Sequence, residues 1–206
     1  MGLRHSGVST STMFFSIPSG KSYRSLEVDD KAWVSHRYPS ASASALGSIS
    51  GNIANGEPLI PGTDVGGALV IAKNQETNAR VHAYSDGNGD YLIPGLPAGN
   101  YTISIQPLDG FVDNIPGMLP GTVSPYLASI TDNATFSEEN WSGDQEGDTE
   151  TEDVATLVFV ASGQNVTEVS FVTNQDTVPP TVNGGSPTPD ATGVRIRPSI
   201  SVTFSE

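Results

Sequence analysis

The chain offers few residues that can do chemistry. It has three histidines, His5, His36 and His82, and no cysteine. Without cysteine there is no disulfide framework, no thiolate metal site and no sulfur nucleophile. One histidine cannot make a zinc site, which needs three protein ligands and an open position for water. Gly20-Lys21-Ser22 has the end of a phosphate loop, but Phe15 stands where the pattern needs its first glycine. Gly87-Asn88-Gly89 fails as a dinucleotide fingerprint, because Leu92 occupies the third glycine position, and no G-x-S-x-G elbow occurs. Asp86, Asn88 and Asp90 have the first three spacings of a calcium loop. Tyr91 replaces the required glycine and no Glu follows at the twelfth position, so the stretch reads as a hairpin turn in which Gly and Asn supply positive φ. Acids concentrate at Glu138, Glu139, Asp144, Glu146, Asp148, Glu150, Glu152 and Asp153. A block without fixed spacing reads as a solvated face rather than a cation cage.

The elements that would position these residues are short strands. Of 206 residues 22 are Gly and 15 are Pro, the hydrophobic fraction is 36%, and 9 Lys+Arg face 23 Asp+Glu for a net charge of −14. So acidic a chain repels phosphate backbones, which excludes nucleic acid as a partner. No apolar run reaches the roughly 18 residues that span a bilayer. MGLRHSGVSTST lacks the apolar core of a signal peptide, and the natural start is expected upstream of Met1. Ile49, Gly51 and Ile53 alternate, Ala68 to Ala72 form an apolar run, and Val81, Ala83 and Ser85 alternate with Arg80, His82 and Tyr84. Tyr91-Leu92-Ile93 follows the Asp86–Asp90 turn, and Tyr101, Ile103 and Ile105 follow the turn at Pro94–Asn100. Short strands between such turns predict a mainly β fold, a sandwich.

Residues 1–39 resemble the end of a metzincin peptidase domain, most closely a matrixin. Gly2 and His5 match the glycine and third histidine of H-E-x-x-H-x-x-G-x-x-H, Ser6 follows, Met13 matches the Met-turn, and Leu26, Asp29, Asp30, Tyr38 and Pro39 match the closing helix. The resemblance implies His5 as the third zinc ligand, Met13 as the floor beneath the imidazoles, and Phe14, Phe15 and Ile17 along the substrate pocket. It implies Asp29 or Asp30 as the helix cap, with Val34 and Tyr38 on one face. Trp33-Val34 and Arg37 depart from the usual Gly-Ile and Leu. The first two histidines and the catalytic Glu would precede Met1, so zinc is expected in the complete parent and not in this chain alone.

Residues 40–46, SASASAL, read as a flexible linker. Residues 47–174 resemble the carboxypeptidase regulatory-like domain, a transthyretin-like sandwich. The phrases GSISGNI, GALVIA and SDGNGDYLIPGLPAGNYTISIQPLDG come in the family's order, and VATLVFVASGQNVTEVSFVTN resembles its last two strands. A long acidic insertion, about 111–153, separates them, and Trp141 within it is expected to pin the insertion to the sandwich. The family is non-catalytic. Residues 175–206 resemble the truncated start of a bacterial Ig-like domain, with D-x-x-P-P-T at Asp176–Thr181 and V-T-F-S-E at the end.

The reading is a non-catalytic fragment of a secreted bacterial zinc endopeptidase. Its sandwich would serve as an accessory spacer or binding module, outside the cell or on its surface. The parent would act on protein or peptide substrates. The rival reading is a non-enzymatic cell-surface or adhesion protein built of β-modules.

Overall fold

The computed structural model describes residues 5–14, 16, 25–55, 64–112, 115–130, 136, 138–143, 155–173, 182–187, 192 and 201–204. The chain forms two units, Met1–Gln175 and Asp176–Glu206.

The first unit is a β-sandwich, as the strand spacing implies. One sheet centres on β1 (Gly47–Asn55). It pairs antiparallel with β4 (Asp90–Leu96) on one side. On the other it pairs parallel with β10 (Asn165–Val166) and then β11 (Phe171–Thr173). The second sheet runs β3 (Arg80–Tyr84), β2 (Leu69–Asn74), β5 (Gly99–Gln106), all antiparallel. The free side of β5 takes β9 (Val158–Val160) and β8 (Glu139–Asn140) at successive positions. Ile49, Ile53, Ile93 and Phe171 from the first sheet meet Val70, Ala72, Val81, Ile103 and Ile105 from the second in one core. Period-two alternation puts these residues on the facing surfaces.

The second sheet is covered on its outer face too. Alternate residues of β2, Leu69 and Ile71, join Phe14, Leu108, Val123 and Leu127 in a second apolar cluster. This double burial explains why the β2 run is continuously apolar rather than alternating. The cover comes from two places: the loop around Phe14, and α2 (Pro120–Val123) with α3 (Pro125–Ile130). These short helices follow the hairpin of β6 (Gly110–Val112) and β7 (Ile115–Met118), within the long insertion. The Trp141 ring is only partly buried against the inner core, and it is the main-chain N–H of Trp141, donating to the Ile103 carbonyl at 2.8 Å, that ties this part of the insertion to β5.

α1 (Val28–Arg37) lies against β3 and β4. Gly95 makes the approach possible: it has φ +72°, and a Cβ there would stand 2.5 Å from Ala32 Cα. Residues 40–46, read from sequence as a linker, contain a 3-10 helix, Ala41–Ala45. The N–H of Gly163 and the hydroxyl of Ser162 both donate to the Ala45 carbonyl, at 3.0 and 3.3 Å. Small residues without a breaker permit the tight turn, and Gly163 at φ +69° lets the loop reach it.

In the second unit β12 (Val182–Ser186) pairs antiparallel with β13 (Ser201–Phe204), with a register shift between Val182 and Gly184.

Candidate functional site

The densest polar cluster lies where α1 meets β3. The adjacent Asp29 and Asp30 are each 2% exposed and point two ways. Asp30 gathers the loop before it. It accepts from Ser11 Oγ at 2.6 Å, from the Thr12 and Met13 N–H groups at 3.0 and 3.2 Å, and from the Glu27 N–H at 3.0 Å. Glu27 is thus the N-cap, and Asp30, three residues into the helix motif, reaches back as in a capping box. The cap expected from Asp29 or Asp30 is supplied by Asp30 in this indirect way. Tyr38, expected to share a face with Val34, is 75% exposed.

Asp29 turns to the sandwich. It accepts from the His82 N–H at 2.8 Å, from His82 Nδ1 at 2.8 and 2.9 Å, and from Ser6 Oγ at 2.6 Å. Burial pushes its carboxyl up, but the electrostatic attraction and hydrogen bonds of His82, with the Ser6 hydroxyl, outweigh burial and hold it below its ordinary value. The Trp33 indole N–H donates to the His82 carbonyl at 2.9 Å, which ties the helix to the same residue.

Ser6, His82 and Asp29 have the residue types of a nucleophilic triad, and their geometry excludes that role. A triad needs the carboxylate on one ring nitrogen and the hydroxyl on the other. Here both meet Nδ1, Ser6 Oγ at 3.3 Å. The Ser6 hydroxyl donates to Asp29, accepts from the Val8 N–H at 2.9 Å, and is 1% exposed. The cluster is a lock between loop, helix and sheet.

Of the residues singled out in sequence, Gly2, Phe15 and Ile17 lie outside the described set. His5 is exposed. Its Nδ1 stands 3.0 Å from the Thr122 carbonyl, and the Tyr84 hydroxyl donates to the His5 carbonyl at 3.1 Å. Met13 is 36% exposed, and its carbonyl accepts the Ser6 N–H at 2.9 Å, so the backbones carrying His5 and Met13 run side by side. Among the described residues no three His, Cys, Asp or Glu side chains converge as a metal site. Among the described residues His5 is thus not part of such a group, and His82 is hydrogen-bonded to Asp29.

At the Asp86–Asp90 turn, Asp86 Oδ1 accepts the Asn88 and Asp90 N–H groups at 2.8 and 3.1 Å. Gly89 takes φ +75°, and Asn52 Nδ2 donates to the Asp90 carboxylate at 3.0 Å. The carboxylates serve the turn, but it is not the hairpin expected: it links β3 to β4, which pair in different sheets, and Gly89 rather than Asn88 takes the positive φ. Most of the acidic block, 144–153, lies outside the described residues.

Sequence reasoning missed Ser6, Ser11 and His82 as a set. The alternation of Arg80, His82 and Tyr84 against Val81 and Ala83 was the available signal, since it put His82 on the outer face of β3.

Comparison with known proteins gives the following. No curated protein matches the chain. Among the solved structures similar over part of it are the following. The Bacillus anthracis TIE protein is 14% identical, with a TM-score of 0.36, over 64% of this chain and 18% of that one. The group B streptococcus pilus 2b backbone protein is 17% identical, with a TM-score of 0.30, over 64% and 42%. The dioxygenase domain of a dioxygenase carbohydrate-binding protein fusion from Streptomyces sp. SirexAA-E is 13% identical, with a TM-score of 0.30, over 66% and 84%. The chain thus spans less than half the length of the first two. The family described as Carboxypeptidase regulatory-like domain matches residues 48–113, the stretch from β1 past β6 that builds most of the sandwich.

Proposed function

We propose that this chain is a non-catalytic part of a secreted zinc-dependent endopeptidase, and that its β-sandwich is the accessory module on which the end of the peptidase domain rests. The observation that carries the reading is the double anchorage of the loop bearing His5 and Met13. Asp30 holds its far end to α1, and Asp29 holds Ser6 and α1 to His82 of the sandwich. In the parent, His5 would be one of three imidazoles on zinc, and the substrate would be a protein or peptide outside the cell. Alone, this chain supplies one ligand and cleaves nothing.

The test is the coding sequence upstream of Met1. An in-frame H-E-x-x-H ending three residues before Gly2, in a protein whose cleavage of casein is abolished by a chelator, supports the proposal. A stop codon or a frame without that motif leaves the rival reading, a non-enzymatic cell-surface or adhesion protein. The likeness of residues 48–113 to a regulatory-like module fits that rival as well.

A further inference from the structure

The end of α1 and residues 40–46 wall a cleft of about 530 Å³ over the outer face of the first sheet. His36 comes from α1 and Pro39 from the stretch after it. Ser48 of β1, Leu92 and Pro94 of β4, and Asn165 of β10 come from the sheet. The surroundings are held in place. The Ala45 carbonyl takes bonds from Ser162 and Gly163, and the Trp33 indole is tied to the His82 carbonyl. The Trp33 ring in turn meets His36 edge-on, with centroids 6.0 Å apart.

The lining selects the ligand. Among the described residues it holds no Asp, Glu, Lys or Arg, in a chain with 23 acids. An ion or charged headgroup would meet no fixed counter-charge there. Ser48 Oγ donates to Asn165 Oδ1 at 2.9 Å. The Asn165 amide therefore presents N–H donors beside a serine oxygen that still accepts. An adjacent donor and acceptor match two neighbouring hydroxyls, each of which gives and takes a hydrogen bond. Leu92, 40% exposed, with Pro39, Pro94 and the His36 ring, offers apolar surface to C–H faces. A cleft of this size with mixed apolar and polar walls suits a small ligand. An extended peptide binds a sheet by adding to its edge, but β1 at Ser48 is already flanked by β4 and β10.

We infer that this cleft binds a neutral saccharide, a short stretch of a polysaccharide chain. Asn165 and Ser48 hold its hydroxyls, and Leu92 and the proline rings carry its apolar faces. The inference stands on this chain alone and not on the peptidase reading.

The test is nitrogen-15 NMR of the whole 206-residue chain with maltotriose, cellotriose, xylotriose and tri-N-acetylglucosamine at millimolar concentration. At least one sugar should move the Asn165 side-chain amide together with the Ser48 and Leu92 main-chain signals. Asn165→Ala should weaken that sugar's binding about twofold to tenfold, the worth of one hydrogen bond. Leu92→Glu, at an exposed position, should weaken it at least as much while urea unfolding stays as in the wild type. A panel that moves none of these signals overturns the inference, as do shifts confined to other surfaces or wild-type affinity in both variants. Movement of the same signals by a neutral Ser/Pro-rich peptide and by no sugar would make the cleft a peptide site and overturn it equally.

Discussion

Two neighbouring carboxylates do different work because a helix turns about 100° per residue. Asp30 serves four donors, and its replacement by Ala leaves Ser11 Oγ and the Thr12, Met13 and Glu27 N–H groups without their acceptor. At about 1–3 kcal/mol for each group that water cannot reach, Asp30→Ala should destabilise the first unit by about 3 kcal/mol or more. Urea unfolding followed by tryptophan emission measures this. Asp29→Asn takes one acceptor oxygen from the buried Ser6 hydroxyl and His82 donors and should cost about 1–3 kcal/mol at neutral pH. The pH dependence follows from linkage. A carboxyl held below its ordinary 3.8 binds its proton less tightly folded than unfolded. Its stabilisation is complete above 3.8 and vanishes as pH falls through the lowered value. The stability gap between wild type and Asp29→Asn should therefore close in acid. A gap unchanged from neutral pH to pH well below that value would contradict the assignment.

Elements come together here by close backbone approach. α1 sits on β4 only because residue 95 has no side chain. Gly95→Ala adds a Cβ against the Ala32 backbone at a left-handed φ, so both space and conformation oppose it. The expected loss is about 2–4 kcal/mol, from strain and overpacking. Trp33 should lose its contact with the His82 carbonyl, so its emission should shift red in the folded protein; an unshifted spectrum with unchanged stability would refute this account. At this scale the sequence was partly legible. Strands β1, β3 and β5 are visible as alternation at Ile49/Ile53, Val81/Ala83 and Tyr101/Ile103/Ile105. The apolar run at Ala68–Ala72 signals burial, but periodicity cannot say that the outer half of β2 is covered by Phe14 and α3, which lie 55 or more residues away on either side. Likewise L-x-x-D-D marks a helix start, while the partner of Asp29 is 53 residues downstream and carries no local mark.

For the whole molecule, residues 5–14 and 25–38 are structurally part of the first unit, and the sandwich depends on them. They cover Leu69 and Ile71 and complete the polar lock at His82. A version beginning at residue 40 should unfold at lower urea concentration and bind the dye ANS in buffer; equal stability of the two versions would show the cover to be dispensable. Composition showed the β class and the acidic surface, and family phrases showed the sandwich. The association of its front segment with the sandwich was not legible, because contacts between distant stretches leave no periodic trace.

β1 is complete by residue 55, yet among the described residues one of its flanks is paired by β10 and β11, past residue 164. At ~5–20 residues per second, the ribosome needs roughly 5 to 20 s to deliver them. Throughout that interval Ile49 and Ile53 belong to a strand with a naked edge. Nascent chains arrested before Asn165 emerges should be cut by protease within residues 47–55, and chains arrested after Thr173 emerges should resist. On this account the sandwich closes only once Thr173 has emerged.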